Sequence, residues 1–422
     1  MKTTKLSNCF ASFLLITALA SCAKKDTTTV GTPVIPPSNP ITADTIGGFV
    51  KGTLLAGKTY TMNQDVYVKA GDTLHAQEGA NIVVKNNSQF KIQGVFESAG
   101  TQKNPVTFDS DTHTPGSWGG FACDSAQAVT ILWTKIFDTG GADNKGGARR
   151  TLVVSKPIKV DIEDSWVANG QDDGLGLFGG AQVTILRNTI QSGGSTDGEG
   201  INLKTGATGI VAYNVIFSQA GTGIKLETAP VVTTAQTTVD VYNNTTVSCG
   251  WRRGAAEPGR GVSVGVSAVA HVYNNVIVNC YHGLEIFTDA DIAHTTYGNN
   301  LFYSTADSFT DNTPLTATPA GPAIVVNLRN GYYPAGAAGK PQTTDIISTS
   351  TATANPMFTN FNNAFLVANG AANNNDFHLQ STSAAIGKGV TTWAGISTSI
   401  AAGNGPNKDL GAYPTDGTGN KH

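Results

Sequence analysis

The chain has 422 residues, 49 of them glycine, with Lys+Arg 27 against Asp+Glu 30, a net charge of −3 and only 14% charged residues. So weak a field disfavours wrapping of a polyanion or adsorption to a membrane surface by charge, and nucleic acid is not an expected partner. Abundant Gly, Asn, Thr and Ser suit many short strands, and the length exceeds one ordinary compact core but suits repeats that grow along an axis.

At the N-terminus, Lys2 and Lys5 precede the apolar run "FASFLLITALA", which is too short to span a bilayer as an ordinary helix and ends in Leu19-Ala20-Ser21-Cys22. This stretch resembles the lipobox of bacterial lipoproteins. The resemblance implies a signal peptide over residues 1–21, acylation of Cys22 as the first mature residue, and durable attachment to the outer membrane by several acyl chains, palmitate among them. A plain secretory signal with an accidental cysteine is the alternative. "CAKKD" is similar to the surface-export signal of some Gram-negative lipoproteins, with Lys25 where an acid is expected, and implies exposure at the cell surface. Residues 22–45 carry four prolines and a threonine run and read as a flexible tether.

Beyond the tether the chain repeats itself. "VTILWTKIF", "VDIEDSWVA", "VTILRNTIQ", "GIVAYNVIF", "VDVYNNTTV", "AHVYNNVIV" and "TTYGNNLFY" align on pivots Thr134, Ser165, Asn188, Asn214, Asn244, Asn275 and Asn300, at spacings of 31, 23, 26, 30, 31 and 25. Such a period means a solenoid or a propeller. The positions three before and two after each pivot are apolar except Thr246, as stacked interior columns require. After five pivots a second strand opens on glycine, in "GLGL", "GINL", "GIKL", "GVSV" and "GLEI", and the residues one and three after that glycine are all aliphatic. The glycine-to-pivot corner holds at 14 residues in three coils, whereas the pivot-to-glycine corner runs 9, 12, 9, 17 and 8. One constant and one variable corner predict an all-β right-handed parallel β-helix over 46–345, with the pivot amides stacked as a ladder and residues 346–422 as a closing segment.

The stretch from "VYVKAGDTLHAQ" to "PGSWGG", with "NNDFHLQSTSAAIGKG" and "DLGAY" near the C-terminus, resembles secreted bacterial β-helix repeat proteins of pectate-lyase-like architecture carrying a variable-anchor-type closing segment. That resemblance implies polysaccharide as the partner and allows binding or scaffolding proteins, lyases, hydrolases and adhesins. A monomer is expected.

The outward positions of the glycine-led strands form two columns. The first is Gly176, Asn202, Lys225, Ser263 and Glu285; the second is Phe178, Lys204, Glu227, Gly265 and Phe287. "INLKTGATGIVAYNVI" is similar to the coil that bears the base in β-helical lyases, which implies Lys204 as base and calcium as the uronate-neutralising cofactor; Glu227 stands where such enzymes offer arginine. The plainer reading of Lys204 and Glu227 is an ion pair between adjacent coils. Asp173 and Glu199 each precede a coil-opening glycine and, stacked about 5 Å apart, would form a retaining-glycosidase pair or ligate calcium, or else only bond turn amides. No metal set is otherwise assigned. The insertion "CGWRRGAAEPGRG" offers Trp251, Arg252, Arg253 and Arg260 to an acidic glycan, or forms a solvated cap; His282 and Glu285 follow on the next coil. Cys249 and Cys280 each lie five residues after a pivot, within reach of a disulfide or stacked as free thiols.

Overall fold

The computed structural model describes residues 38–192, 194, 197–228, 235–253, 259–303, 324–328, 342–348, 355–361 and 375–422. The signal segment, Cys22 and most of the tether lie outside the described residues.

The pivot corner sets the architecture. Each residue before a pivot (Trp133, Asp164, Arg187, Tyr213, Asn243, Asn274 and Asn299) has φ between 47° and 59°. A single left-handed residue, costing roughly 1–2 kcal/mol outside glycine, turns the chain sharply without a loop. The pivot then recovers that cost through hydrogen bonds. Asn188, Asn214, Asn244 and Asn275 each donate their Nδ2 to the Oδ1 of the next pivot asparagine at 3.0 Å, and that same Oδ1 accepts the backbone N–H of the pivot before it. Each Nδ2 also reaches the carbonyl of an interior-column residue one coil back, such as Ile185 from Asn214 or Val241 from Asn275. Ser98, Thr134 and Ser165 extend the stack at one end, and Asp345 accepts the Asn300 N–H at the other. The expected asparagine ladder is present, and every pivot is buried.

Three parallel ladders follow from this repeat. Sheet 1 holds the strands that precede the pivots, from Pro40–Ile41 to Thr296–Gly298 in eleven strands. Sheet 2 holds the strands that follow them, and sheet 3 holds the glycine-led strands; the two join through Thr59–Val68, whose start pairs with Asn81–Val84 and whose end pairs with Phe90–Ile92. Each coil passes from sheet 1 through the pivot corner to sheet 2, then through the variable corner to sheet 3. Neighbouring coils stay in register, so Ile131, Ile162, Ile185, Val211, Val241 and Val272 form one buried column and Ile201, Ile224, Val262 and Leu284 another. The fold is a right-handed parallel β-helix. Over residues 90–121 aromatic rings join the aliphatic core: Phe90, Phe96, Phe108, Trp118 and Phe121 pack with centroids 5.0 to 6.4 Å apart. Pairing begins at Pro40–Ile41, inside the stretch read as tether, and reaches Ile346–Ser348.

The closing segment lies along the side of the solenoid. Lys388 O accepts from Asn299, Val390 O and Asn407 O from Asn274, Asp409 O from Asn243, Gly405 O from Tyr213, and Asn404 from Arg187. His422 ends the run stacked on Trp166 at 3.7 Å. The side chains of the left-handed residues thus receive the returning chain. Phe358, Phe377, Leu410 and Tyr413 cover the outer face of sheet 2, packing on Val215, Val247 and Val276. Trp393 and Ile400 pack on Leu186, Ile210 and Tyr242 of sheet 1.

Candidate functional site

The variable corner and the outer face of sheet 3 carry the charged groups. Register places Phe49, Tyr67, Lys91, Ala122, Val153, Gly176, Asn202, Lys225, Ser263 and Glu285 in one outward column. Nine inter-coil steps of about 4.8 Å make this face roughly 43 Å long. Position 176 must stay small, because a Cβ there would lie 2.7 Å from Arg150 Cδ. The two aromatics expected in the second column each sit against an arginine: Arg150 over Phe178 at 5.4 Å and Arg260 over Phe287 at 5.2 Å.

Asp173 and Glu199 come together at this corner, as their positions before the coil-opening glycines suggest. Asp173 is buried; Arg150 Nε donates to it at 2.8 Å, Asn202 Nδ2 at 2.9 Å and the Glu199 backbone N–H at 2.9 Å. The two carboxyl groups lie close enough to influence each other's ionisation. Two interacting carboxyl groups in one corner divide into one that holds its proton and one that is ionised. Burial, together with the hydrogen bond to Asp173 and the charge there, pushes Glu199 up to about 8. Burial opposes ionisation of Asp173 too, but its hydrogen bonds and Arg150 keep it the charged member. Asp172 is raised to about 6, by burial and then by Asp173.

Lys204 and Glu227 form the inter-coil ion pair, with Nζ 2.9 Å from Oε2. This is the ion pair of the plainer reading of Lys204. Lys225 lies between Glu227 at 3.5 Å and Glu199 at 3.7 Å, joining the two clusters.

The insertion after Cys249 turns back on the corner. Residues 254–258 lie outside the described residues. Trp251 donates its Nε1 to Asn279 O at 2.6 Å and packs edge-on against Tyr281. Arg252 caps carbonyls, donating to Gly194 O at 2.7 Å and Ser218 O at 2.9 Å. Arg253 pairs with Glu199 at 2.9 Å and with Asp197. The loop expected to project Trp251, Arg252 and Arg253 toward a glycan therefore directs these side chains onto neighbouring coils, where carbonyls and buried carboxylates need donors. Arg260 pairs with Glu285, which also faces His282 Nδ1 at 2.7 Å. Burial pushes the Glu285 carboxyl up, but His282 and Arg260 outweigh it and hold the group at about 2.

Cys249 and Cys280 are both buried and are not joined in a disulfide. Parallel in-register strands point the two side chains the same way, and the stacked-thiol arrangement is the one formed; burial pushes the Cys249 thiol well up. Asp109, His113 and Asp138 bring ligand atoms within 4.8 Å of one another, yet His113 faces Asp109 at 2.8 Å and Asn169 donates to Asp138 at 2.9 Å, so the group satisfies itself.

Arg150, Asp172 and Asp197 belong to the site and escape the glycine rule. The strand Leu152–Val154 opens on Thr151 where its neighbours have glycine, so the coil that presents Arg150 is hidden in the pattern. The adjacent acids in "QDDG" were the available signal for Asp172.

Three stacked ladders with a ladder of buried pivot amides define a right-handed β-helix protein. Residues 119–302 match the family described as "Right handed beta helix region", a span that contains the whole charged corner. Searches of curated proteins and of solved structures gave no significant match.

Proposed function

We propose that the chain is an envelope protein, lipid-anchored through Cys22 and exposed at the cell surface, that binds an acidic polysaccharide along the outer face of sheet 3. The observation that carries this reading is the division of labour among the faces. The closing segment occupies the pivot corner and outer surfaces of sheets 1 and 2, whereas the outer column of sheet 3, except at Gly176 and Asn202, keeps partly exposed side chains from Phe49 to Lys225, over roughly 34 Å, before Ser263 and Glu285 become buried. Partly exposed Lys204 and Lys225 line it, with Arg150 further along and Lys69 stacked over the exposed ring of Phe49 at 3.8 Å. Rings that stack on sugars and cations that meet uronate carboxylates, repeated at coil spacing, suit an extended chain.

A second reading, glycoside hydrolysis, is favoured by one feature. Glu199, held protonated near neutrality beside ionised Asp173, is poised as a general acid. The test is retention of the mature protein in gels containing polygalacturonate, alginate or hyaluronan, with reducing ends and absorbance near 235 nm followed in parallel. Binding without turnover, weakened at least tenfold in Lys204→Ala/Lys225→Ala, is the expected outcome. Turnover lost in Glu199→Gln would replace binding with hydrolysis, and no retention on any of these polymers would overturn the reading. Loss of membrane partitioning in Cys22→Ala checks the anchor.

A further inference from the structure

A second cleft, of about 520 Å³, lies on the opposite side of the solenoid from sheet 3, between the outer face of sheet 1 and the closing segment. Two outward columns of sheet 1 make its floor: Gln182, Thr208 and Thr238 in one, Thr184, Asp240 and His271 in the other. Gly395, Ser397 and Ser399 of the closing segment form the opposite wall. We propose that this cleft binds a short neutral oligosaccharide, independently of the polysaccharide face.

The lining decides the ligand class. Sites for apolar small molecules of this size are walled mostly by hydrophobic side chains, whereas this one offers hydroxyls, an amide, an imidazole and a carboxylate. Its ionisable groups already have partners: Asp240 Oδ1 faces His271 Nδ1 at 2.7 Å, and Lys159 at the rim faces Asp161 at 2.7 Å. The hydroxyls and the amide that remain suit a polyol, which needs only hydrogen-bonding partners. In the first column Gln182, Thr208 and Thr238 recur about every 4.8 Å, close to the length of one pyranose unit, whereas in the second Ile210 stands between Thr184 and Asp240.

The wall is fixed over the floor. Asp240 Oδ2 accepts the Ser397 N–H at 2.8 Å, and Gly395 lies so close to His271 that a Cβ would fall 2.5 Å from its Nε2. With φ of +89°, position 395 also disfavours any side chain. The buried Asp240–His271 pair thereby ties the closing segment down and leaves the hydroxyl-lined space open beside it.

The experiment is titration calorimetry and saturation-transfer NMR on the mature chain with cellobiose, maltose, xylobiose and N,N′-diacetylchitobiose. At least one should bind saturably, and Thr208→Trp, which fills the cleft, should weaken it at least tenfold. Thr238→Val, which removes one hydroxyl at nearly constant volume, should weaken it severalfold and guards against misfolding of the larger variant. Lys204→Ala/Lys225→Ala should leave it unchanged, just as Thr208→Trp should leave retention on acidic polysaccharide unchanged, so the two sites fail separately. No binding of any of the four at 10 mM, or binding equal in wild type and Thr208→Trp, would overturn the proposal.

Discussion

The two corners of each coil solve the same problem by opposite means. Both bury polar side chains where the chain changes sheet. At the pivot corner the groups are neutral amides, each bonded to its own kind above and below; at the variable corner they are ions whose partners differ from coil to coil. A self-complementary neutral stack can be extended by one coil without altering what lies below it, because every amide presents both a donor and an acceptor. An ionic corner cannot, since each carboxylate needs its own cation, and the result is the individual constellation of Arg150, Asp173, Glu199 and Arg253. Repetition therefore marks the scaffold, and loss of repetition marks the surface open to specialisation.

The sharpest way to break this comparison is to strand a charge. Glu285 is fully buried between Arg260 and His282, and removing it leaves a buried guanidinium unpaired. Glu285→Ala should cost about 3–5 kcal/mol in urea unfolding. The double variant Arg260→Met/Glu285→Leu should recover more than half of that, because an apolar pair can replace a buried ion pair. Recovery of nothing would mean that the corner is held by packing rather than by charge matching.

The neutral stack should break differently. Asn244→Ala orphans the Asn214 backbone N–H, takes one of two acceptors from the Asn214 amide and removes one of the two donors to Asn275 Oδ1, for a loss of about 3 kcal/mol. Because a solenoid is held by contacts between nearest-neighbour coils, the loss should stay local. Amide hydrogen exchange should accelerate roughly 100-fold in the strands flanking residues 214, 244 and 275, while the Phe90–Phe121 coils keep their protection. No single neighbouring substitution should rescue it, since the unmet Asn214 N–H belongs to the backbone.

This difference also governs what could be read from the sequence. The pivot asparagines and the glycine-led strands were visible because identical demands recur every coil. The left-handed residues were not, because Trp133, Arg187, Tyr213 and Asn299 share only a backbone conformation, and their side chains answer to a closing segment more than 80 residues away. At the variable corner, the stacking of Asp173 and Glu199 followed from their shared offset before glycine. Their opposite shifts in ionisation did not, because these depend on Arg150, from a coil without that glycine, and on an insertion whose course no spacing rule predicts. Residues 249–253 looked like an outward probe by composition; the unmet carbonyls of Gly194 and Ser218 turn Arg252 inward instead.

The smallest expected effect sharpens the comparison most, because it separates the corners by pH. The pivot amides between Asn188 and Asn300 do not titrate, whereas Glu199 is raised from 4.5 to about 8 in the folded state. A carboxyl with a raised folded pKa binds more protons folded than unfolded, so its contribution is present below the unfolded value and is lost as pH rises toward 8. Asp172 and Asp345, both raised to about 6, act in the same direction but are spent by about pH 6.5. His422, lowered from 6.5 to about 4 by burial, acts in the opposite direction, adding stability as pH rises through that interval. Between pH 6.5 and 8.5 the slope should therefore belong mainly to Glu199, and the melting temperature should fall by a few degrees. Glu199→Gln keeps a donor to Asp173 without a titrating proton and should flatten that slope, whereas Asn214→Ala should lower the whole curve without changing its shape. A wild-type curve already flat over this range would mean that Arg253 and Lys225 hold Glu199 ionised, and the corner would then be an ion-paired network with no proton to share.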